Sequence, residues 1–172
     1  MLIPLLGLIS VLVALEDGFP ILFVQARLGK DRKVFKIYKI RTMKKNTPQA
    51  GTHNVSSNYH LYVGKIIRSL KLDEFPQLIN ILKGDINLIG PRPGLPEQTD
   101  LTNARMSRDI FKNKPGITGL AQVVGYDMSD PRKLAEIDEL YFKKKSLKLD
   151  LLIIIGTFFT YPRNYLKNQL NI

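Results

Sequence analysis

Both ends of this chain are strongly apolar and neither is long enough to cross a bilayer, which constrains the fold more than any other feature. Met1 to Leu15 (MLIPLLGLISVLVAL) has no charged side chain. At about 1.5 Å per residue, a helix of that length reaches only about 22 Å, short of the roughly 30 Å hydrocarbon core. A signal peptide is a poor fit: there is no basic leader or small-residue cleavage site, and Glu16-Asp17-Gly18 follows directly. Two readings stay open, a buried core helix and a segment that dips into a membrane and returns. Pro4 favours the second, since a proline near the start breaks a helix at little cost.

The far end repeats the problem. From Leu147 to Tyr161 (LKLDLLIIIGTFFTY), helical spacing puts Leu147, Leu151, Ile154, Ile155 and Phe158 on one face, while Leu149, Leu152 and Ile153 fill much of the rest. Such a helix is either fully buried or lies in a membrane interface. Lys143, Lys144, Lys145 and Lys148 before it, Arg163 and Lys167 after it, and Tyr161 and Tyr165 favour the interface. Composition agrees, because 26 Lys+Arg against 15 Asp+Glu give a net charge of +11, which suits an anionic surface or ligand. At 172 residues the chain suits a single globular domain. It has no cysteine, which excludes disulfides, thiol nucleophiles and Cys-ligated zinc, and its only histidines are His53 and His60. Any chemistry falls to carboxylates and basic groups.

Between the apolar ends, Ile21 to Met43 reads as two strands around the turn Gly29-Lys30-Asp31-Arg32, a hairpin. Alternation on the second strand sends Lys39 and Arg41 to one face, which suits a phosphate-bearing ligand and equally a solvated basic edge. Lys44 to Tyr59 is polar and loop-like, and Leu61 to Ser69 reads as a short amphipathic helix. Asp73-Glu74-Phe75-Pro76, followed by Leu78, Ile79, Ile81, Leu82 and Gly84, has the marks of a helix with both carboxylates in its first turn. Dipole compensation would explain the acids. So would chemistry: a carboxylate held ionised at a helix start can attack phosphorus while its neighbour holds Mg²⁺. Arg68 and Arg92 add cations, and the prolines of Pro91-Arg92-Pro93 narrow the directions in which that guanidinium can point, although an ordinary surface turn would read the same way.

These strings together resemble a known family. Gln25-Ala-Arg-Leu-Gly29, Tyr38-Lys39-Ile40-Arg41-Thr42-Met43, Leu72-Asp73-Glu74-Phe75-Pro76-Gln77-Leu78, Lys83-Gly84-Asp85, Gly90-Pro91-Arg92-Pro93, Lys114 to Val123, and Tyr141, Ser146 and Asp150 occur in the order found in the bacterial sugar transferases. These are monotopic polyprenyl-phosphate phosphoglycosyltransferases, and the likeness runs from about Pro4 to Thr157. The resemblance implies transfer of a sugar phosphate from a UDP-sugar to undecaprenyl phosphate with release of UMP. That step initiates exopolysaccharide, capsule, O-antigen or glycoprotein glycan assembly at the cytoplasmic face of the bacterial inner membrane. It implies Asp73 as nucleophile, Asp73 and Glu74 as the Mg²⁺ ligands, and Lys39, Arg41 and Arg68 as phosphate-binding groups. It further implies Pro91, Arg92, Pro93 and Gln122 as the lining of the nucleotide-sugar site.

The expected architecture is α/β: a small sheet with the hairpin packed by short helices, an N-terminal membrane-associated segment and a C-terminal interfacial helix. The expected divisions are residues 1–18, a catalytic part at 19–146, and an interfacial helix and tail at 147–172. Expected partners are the UDP-sugar, undecaprenyl phosphate and anionic lipids, with no nucleic acid, since no nucleic-acid-binding signature is visible. Relatives usually begin with a basic, Asp-containing half-helix and Ser-Pro, whereas this sequence starts at Met1-Leu2-Ile3-Pro4, so the expectation is a shortened re-entrant helix, and where many read Gln-Val-Asn-Gly-Arg this chain has Gln122-Val123-Val124-Gly125-Tyr126. A catalytically weak or inactive shortened paralogue, acting as a basic membrane-associated binding protein, is the alternative.

Overall fold

The computed structural model describes residues 2–48 and 57–170. His53 and half of the expected polar loop lie outside the described residues. The fold is mixed α/β, with helices predominating and the strands short. Helix α1 (Leu2–Asp17) leads into the hairpin strands β1 (Leu22–Leu28) and β2 (Val34–Ile40). Helices α2 (Tyr62–Ser69) and α3 (Leu78–Leu82), strand β3 (Asn87–Ile89), helix α4 (Thr99–Met106), strand β4 (Gly116–Thr118) and helix α5 (Leu120–Val123) follow. The chain ends in α6 (Pro131–Lys144), α7 (Leu147–Phe158) and α8 (Thr160–Leu170). Strands β3 and β4 pair in parallel, Asn87 opposite Gly116 and Ile89 opposite Thr118.

The chain divides into two compact units, Met1–Gln25 with Lys36–Asn80, and Ala26–Phe35 with Ile81–Ile172. In the first, Ile9 and Val13 of α1 pack with Ile40, Leu61 and Ile67. Pro4 does not break α1. It sits in the first turn, where no intrahelical N–H is required of it, and the helix runs whole to Asp17. Leu8, Val11 and Leu15 are exposed along it. The Glu16 carboxylate accepts from the Tyr62 and Val63 amides at 2.6 and 3.0 Å and so caps α2. Helix α2 lies against the chain just after β2 so closely that a Cβ on Gly64 would overlap the Thr42 backbone.

In the second unit, α6 starts at an Asp130 cap that accepts from the Lys133 amide, with Pro131 in its first turn, and α7 starts at a Ser146 cap on the Leu149 amide. The Tyr141 hydroxyl donates to Asp150 at 2.8 Å and ties α6 to α7. Leu134, Ile137 and Tyr141 of α6, Leu149 and Ile153 of α7, and Leu166 of α8 form the core with Leu101, Leu120 and Val123. The C-terminal apolar stretch is two helices, not the single one expected. Arg163 folds back from α8 and donates to the Gly156 and Thr157 carbonyls at 2.6 and 2.9 Å, closing the end of α7. Of the face expected to meet a membrane, Leu147, Leu151, Ile155 and Phe158 are exposed. Among the described residues no helix is long and apolar enough to cross a membrane.

Candidate functional site

The acid pair sits in the first unit. Helix α2 ends at Ser69, and the backbone at Lys71 turns left-handed, with φ of 59°. Leu72 to Gln77 then forms a 3₁₀ turn that runs into α3. The local structure therefore differs from the expected α-helical N-terminus: Pro76 closes a tight 3₁₀ stretch, and only the five residues from Leu78 are α-helical. Asp73 is buried, 8% exposed. Burial is the largest influence on its carboxyl and pushes its pKa above the ordinary value; Lys39 and Arg68 pull it down and Glu74 pushes it up. The expectation that a helix dipole would hold Asp73 ionised is thus replaced by a contest in which desolvation prevails and two lysine and arginine charges oppose it.

Lys39, from β2, reaches Glu74 with its Nζ 2.7 Å from Oε1, both side chains only 15% exposed. An unforeseen residue holds that strand in place. Asn80, fully buried in α3, donates from Nδ2 to the Lys36 carbonyl at 2.7 Å and accepts the Tyr38 amide on Oδ1 at 3.3 Å. It occupies the two hydrogen-bonding positions a neighbouring strand would fill, and it fixes the backbone on either side of Ile37, two residues before Lys39. Arg68 is half-buried, with Nη1 3.5 Å from His60 Nε2. Burial, then the charges of Arg68 and Lys65, lowers the His60 pKa, so the imidazole is neutral at pH 7. Gln77, one residue before α3, is 2% exposed and leaves its amide nitrogen without a partner among the described residues.

Arg41 is placed differently from Lys39. Its buried guanidinium bonds the Asp17 carboxylate and the carbonyls of Asp17, Gly18, Pro20 and Met43. That set of partners braces the chain where α1 gives way to the hairpin. The alternation that put Lys39 and Arg41 on one face fails because β2 ends at Ile40.

The remaining expected site residues belong to the second unit. Pro91 and Pro93 are buried and Arg92 is half-buried. Gln122, on α5, donates to the Ile117 carbonyl at 3.1 Å, and its buried Oε1 has no partner among the described residues. Arg27, which sequence reasoning passed over, is buried and donates to the Pro93 carbonyl at 3.0 Å. Among the described residues no group of three or more His, Cys, Asp or Glu gathers to hold a metal ion.

The structure is thus a small mixed α/β fold with exposed apolar helices and a buried carboxyl on which the charges of Lys39 and Arg68 act. The family profile of the bacterial sugar transferases matches residues 1–164, and the chain belongs to that family. It is 42% identical over 164 residues to the UDP-N-acetylgalactosamine-undecaprenyl-phosphate N-acetylgalactosaminephosphotransferase of Aeromonas hydrophila, covering 91% of this chain and 39% of that protein. Similarity to the uncharacterized sugar transferase EpsL of Bacillus subtilis (strain 168) is 39% over 145 residues, or 84% of this chain and 71% of that one. The UDP-glucose:undecaprenyl-phosphate glucose-1-phosphate transferase of Caulobacter vibrioides is 36% identical over 165 residues, covering 90% of this chain and 61% of its own length. The chain thus spans 39% of the Aeromonas relative and 61% of the Caulobacter one, less than two thirds of each.

Proposed function

We propose that this chain transfers a sugar phosphate from a UDP-sugar to undecaprenyl phosphate and releases UMP, the initiating step of exopolysaccharide, capsule or related glycan assembly. The observation that carries the reading is Asp73, a buried carboxyl on which the charges of Lys39 and Arg68 act. A nucleophile of this type must be desolvated enough to attack and cationic enough around it to accept a diphosphate. In the first half-reaction an Asp73 carboxylate oxygen bonds the sugar-bearing phosphorus, and the bond from that phosphorus to the bridging oxygen breaks, so UMP leaves with the electron pair. In the second, an oxygen of undecaprenyl phosphate attacks the same phosphorus, the acyl phosphate bond breaks, and the Asp73 carboxylate is restored. Lys39 and Arg68 offset the phosphate charge in both halves. Arg92 and Gln122 bind the donor.

The donor set suits Mg²⁺, which takes one or two carboxylates and leaves the remaining positions to water and phosphate oxygens. Asp73 and Glu74 would hold it, and when bound it would neutralise charge on the diphosphate. The exposed apolar faces of α1 and α7 support contact with the cytoplasmic leaflet of the inner membrane, with anionic lipid attracted by the net charge of +11.

The test is intact-mass measurement after mixing the chain in detergent with a panel of UDP-sugars, followed by UMP release on adding undecaprenyl phosphate and Mg²⁺. One donor should add the mass of its sugar phosphate to the unaltered chain and nothing to Asp73→Asn, which should also lose UMP release. Adduct formation and turnover that persist in Asp73→Asn would remove Asp73 from the role. Vesicle binding with no turnover across the panel would favour the non-catalytic membrane-binding paralogue.

A further inference from the structure

The Pro91-Arg92-Pro93 segment is irregular and is held by donors outside it. Two of its three residues lack an N–H, so the carbonyls of Pro91 to Gly94 depend on donors from elsewhere in the second unit. All four have one. The Gly116 amide donates to Pro91 O at 2.9 Å, Arg105 Nη1 to Arg92 O at 2.8 Å, Arg27 Nη1 to Pro93 O at 3.0 Å, and the Leu28 amide to Gly94 O at 2.9 Å. The Gly116 contact needs a glycine, since a Cβ there would overlap the Gly90 and Ile89 backbone.

Arg105 differs from the other donors in how firmly it is itself held. It is 2% exposed, and its Nε and Nη2 both reach Asp138 Oδ2, at 3.0 and 2.7 Å. One side of the guanidinium plane is thereby fixed by α6, and the remaining Nη1 has one direction available, toward Arg92 O. Burying such a pair costs desolvation that an apolar pair of similar volume would avoid. A specific geometric task accounts for keeping it. Burial, then the nearby charge of Arg92, brings the Arg27 guanidinium down to about 10, with Glu97 partly opposing, so the two arginines that meet at this segment lie near one another.

We propose that Arg105, locked by Asp138, is a positioning residue that fixes the Arg92 backbone and thereby presents the Arg92 guanidinium, pre-aimed, to a nucleoside diphosphate. The proposal rests on the reading that Arg92 binds the donor, and it assigns the specificity of that contact to a residue that touches no substrate. Preorganisation acts by removing the cost of ordering the turn when ligand arrives, so its loss weakens affinity without removing a contact.

The experiment is a double-mutant cycle on UDP binding, measured by calorimetry with the full chain in detergent. Arg105→Lys retains the charge facing Asp138 but cannot donate to two partners in a guanidinium fork. It should weaken UDP binding about tenfold in the unaltered chain and less than twofold in an Arg92→Ala background, because a device that works through Arg92 has nothing left to aim. Leu134→Ala, which loosens the same core away from the turn, controls for general destabilisation and should change UDP affinity less than twofold. An equal loss from Arg105→Lys in both backgrounds, or none in the first, overturns the proposal while leaving the role of Arg92 intact. No UDP binding by the unaltered chain, or no effect of Arg92→Ala, overturns the donor-binding reading and this proposal with it. If Arg105→Lys does not fold, the Arg105→Met, Asp138→Leu double variant, which removes the donor to Arg92 O without leaving a buried charge unpaired, goes through the same cycle with the same deciding outcomes.

Discussion

Asp138→Asn separates two kinds of ion pair that look alike by distance. Arg105 and Asp138 approach to 2.7 Å with both side chains 3% exposed, while Lys112 and Asp109 approach to 2.8 Å with side chains 72% and 70% exposed. In the exposed pair water screens both charges, and breaking it costs under about 1 kcal/mol. In the buried pair the loss of the carboxylate leaves a guanidinium out of water with no counter-charge, at a cost of about 3–5 kcal/mol. Asp138→Asn should therefore lower the urea unfolding free energy by about 3–5 kcal/mol, and Asp109→Asn by less than about 1 kcal/mol. Much of the penalty belongs to the orphaned charge rather than to the bridge, so replacing both partners, Arg105→Met with Asp138→Leu, should recover part of the loss, leaving a shortfall of about 1–3 kcal/mol from the Arg92 carbonyl that loses its donor. The assay is urea unfolding in detergent followed by circular dichroism, with slopes compared to confirm that the same surface unfolds in each variant. A loss of under 1 kcal/mol in Asp138→Asn, or a double replacement as costly as the single one, would refute the reasoning. The double variant also separates function from the buried charge: it should be more stable than Asp138→Asn while UDP affinity stays low, because no Arg105 donor remains for Arg92 O.

The raised pKa of Asp73 has two consequences of known sign. The acid limb of kcat/KM should lie above the ordinary aspartate range of about 4, moving further up in Lys39→Met and down in Glu74→Gln, as read from a pH–rate profile of UMP release. Because the folded-state pKa exceeds the unfolded value, the stability contribution is present at low pH and lost as pH rises through the folded pKa. Asp73→Asn should thus raise Tm at pH 7, with the gain vanishing as pH falls below about 4. Gly64→Ala, which would help an exposed helix by about 1 kcal/mol, should instead destabilise by more than about 2 kcal/mol in thermal unfolding, because the added carbon meets the Thr42 backbone. Leu151→Glu with Phe158→Glu should abolish co-sedimentation with phosphatidylglycerol vesicles and barely alter Tm, since both side chains are exposed on α7.

The parts of this fold that were legible in the sequence are those whose physics is local. The hairpin could be placed because Gly29 to Arg32 interrupts two β-branched runs, and α2 because Leu61 to Ser69 has one apolar face. The acid pair could be located beside Arg68 for the same reason, whereas its 3₁₀ geometry, its burial and the prevailing desolvation could not. What decides whether a polar side chain is available to a ligand is a partner far along the chain. Arg41 read as a companion of Lys39 until Asp17, Gly18 and Pro20 took its donors, and Arg163 read as a headgroup-facing cation until the end of α7 required it. Asn80 and Arg105 carried no local signal at all, because Lys36 and Asp138 lie tens of residues away. The carbonyls from Pro91 to Gly94 show the same dependence: their donors are the Gly116 amide, Arg105, Arg27 and the Leu28 amide, none of them a near neighbour in sequence, so the segment that carries Arg92 is braced by residues that only the fold brings to it.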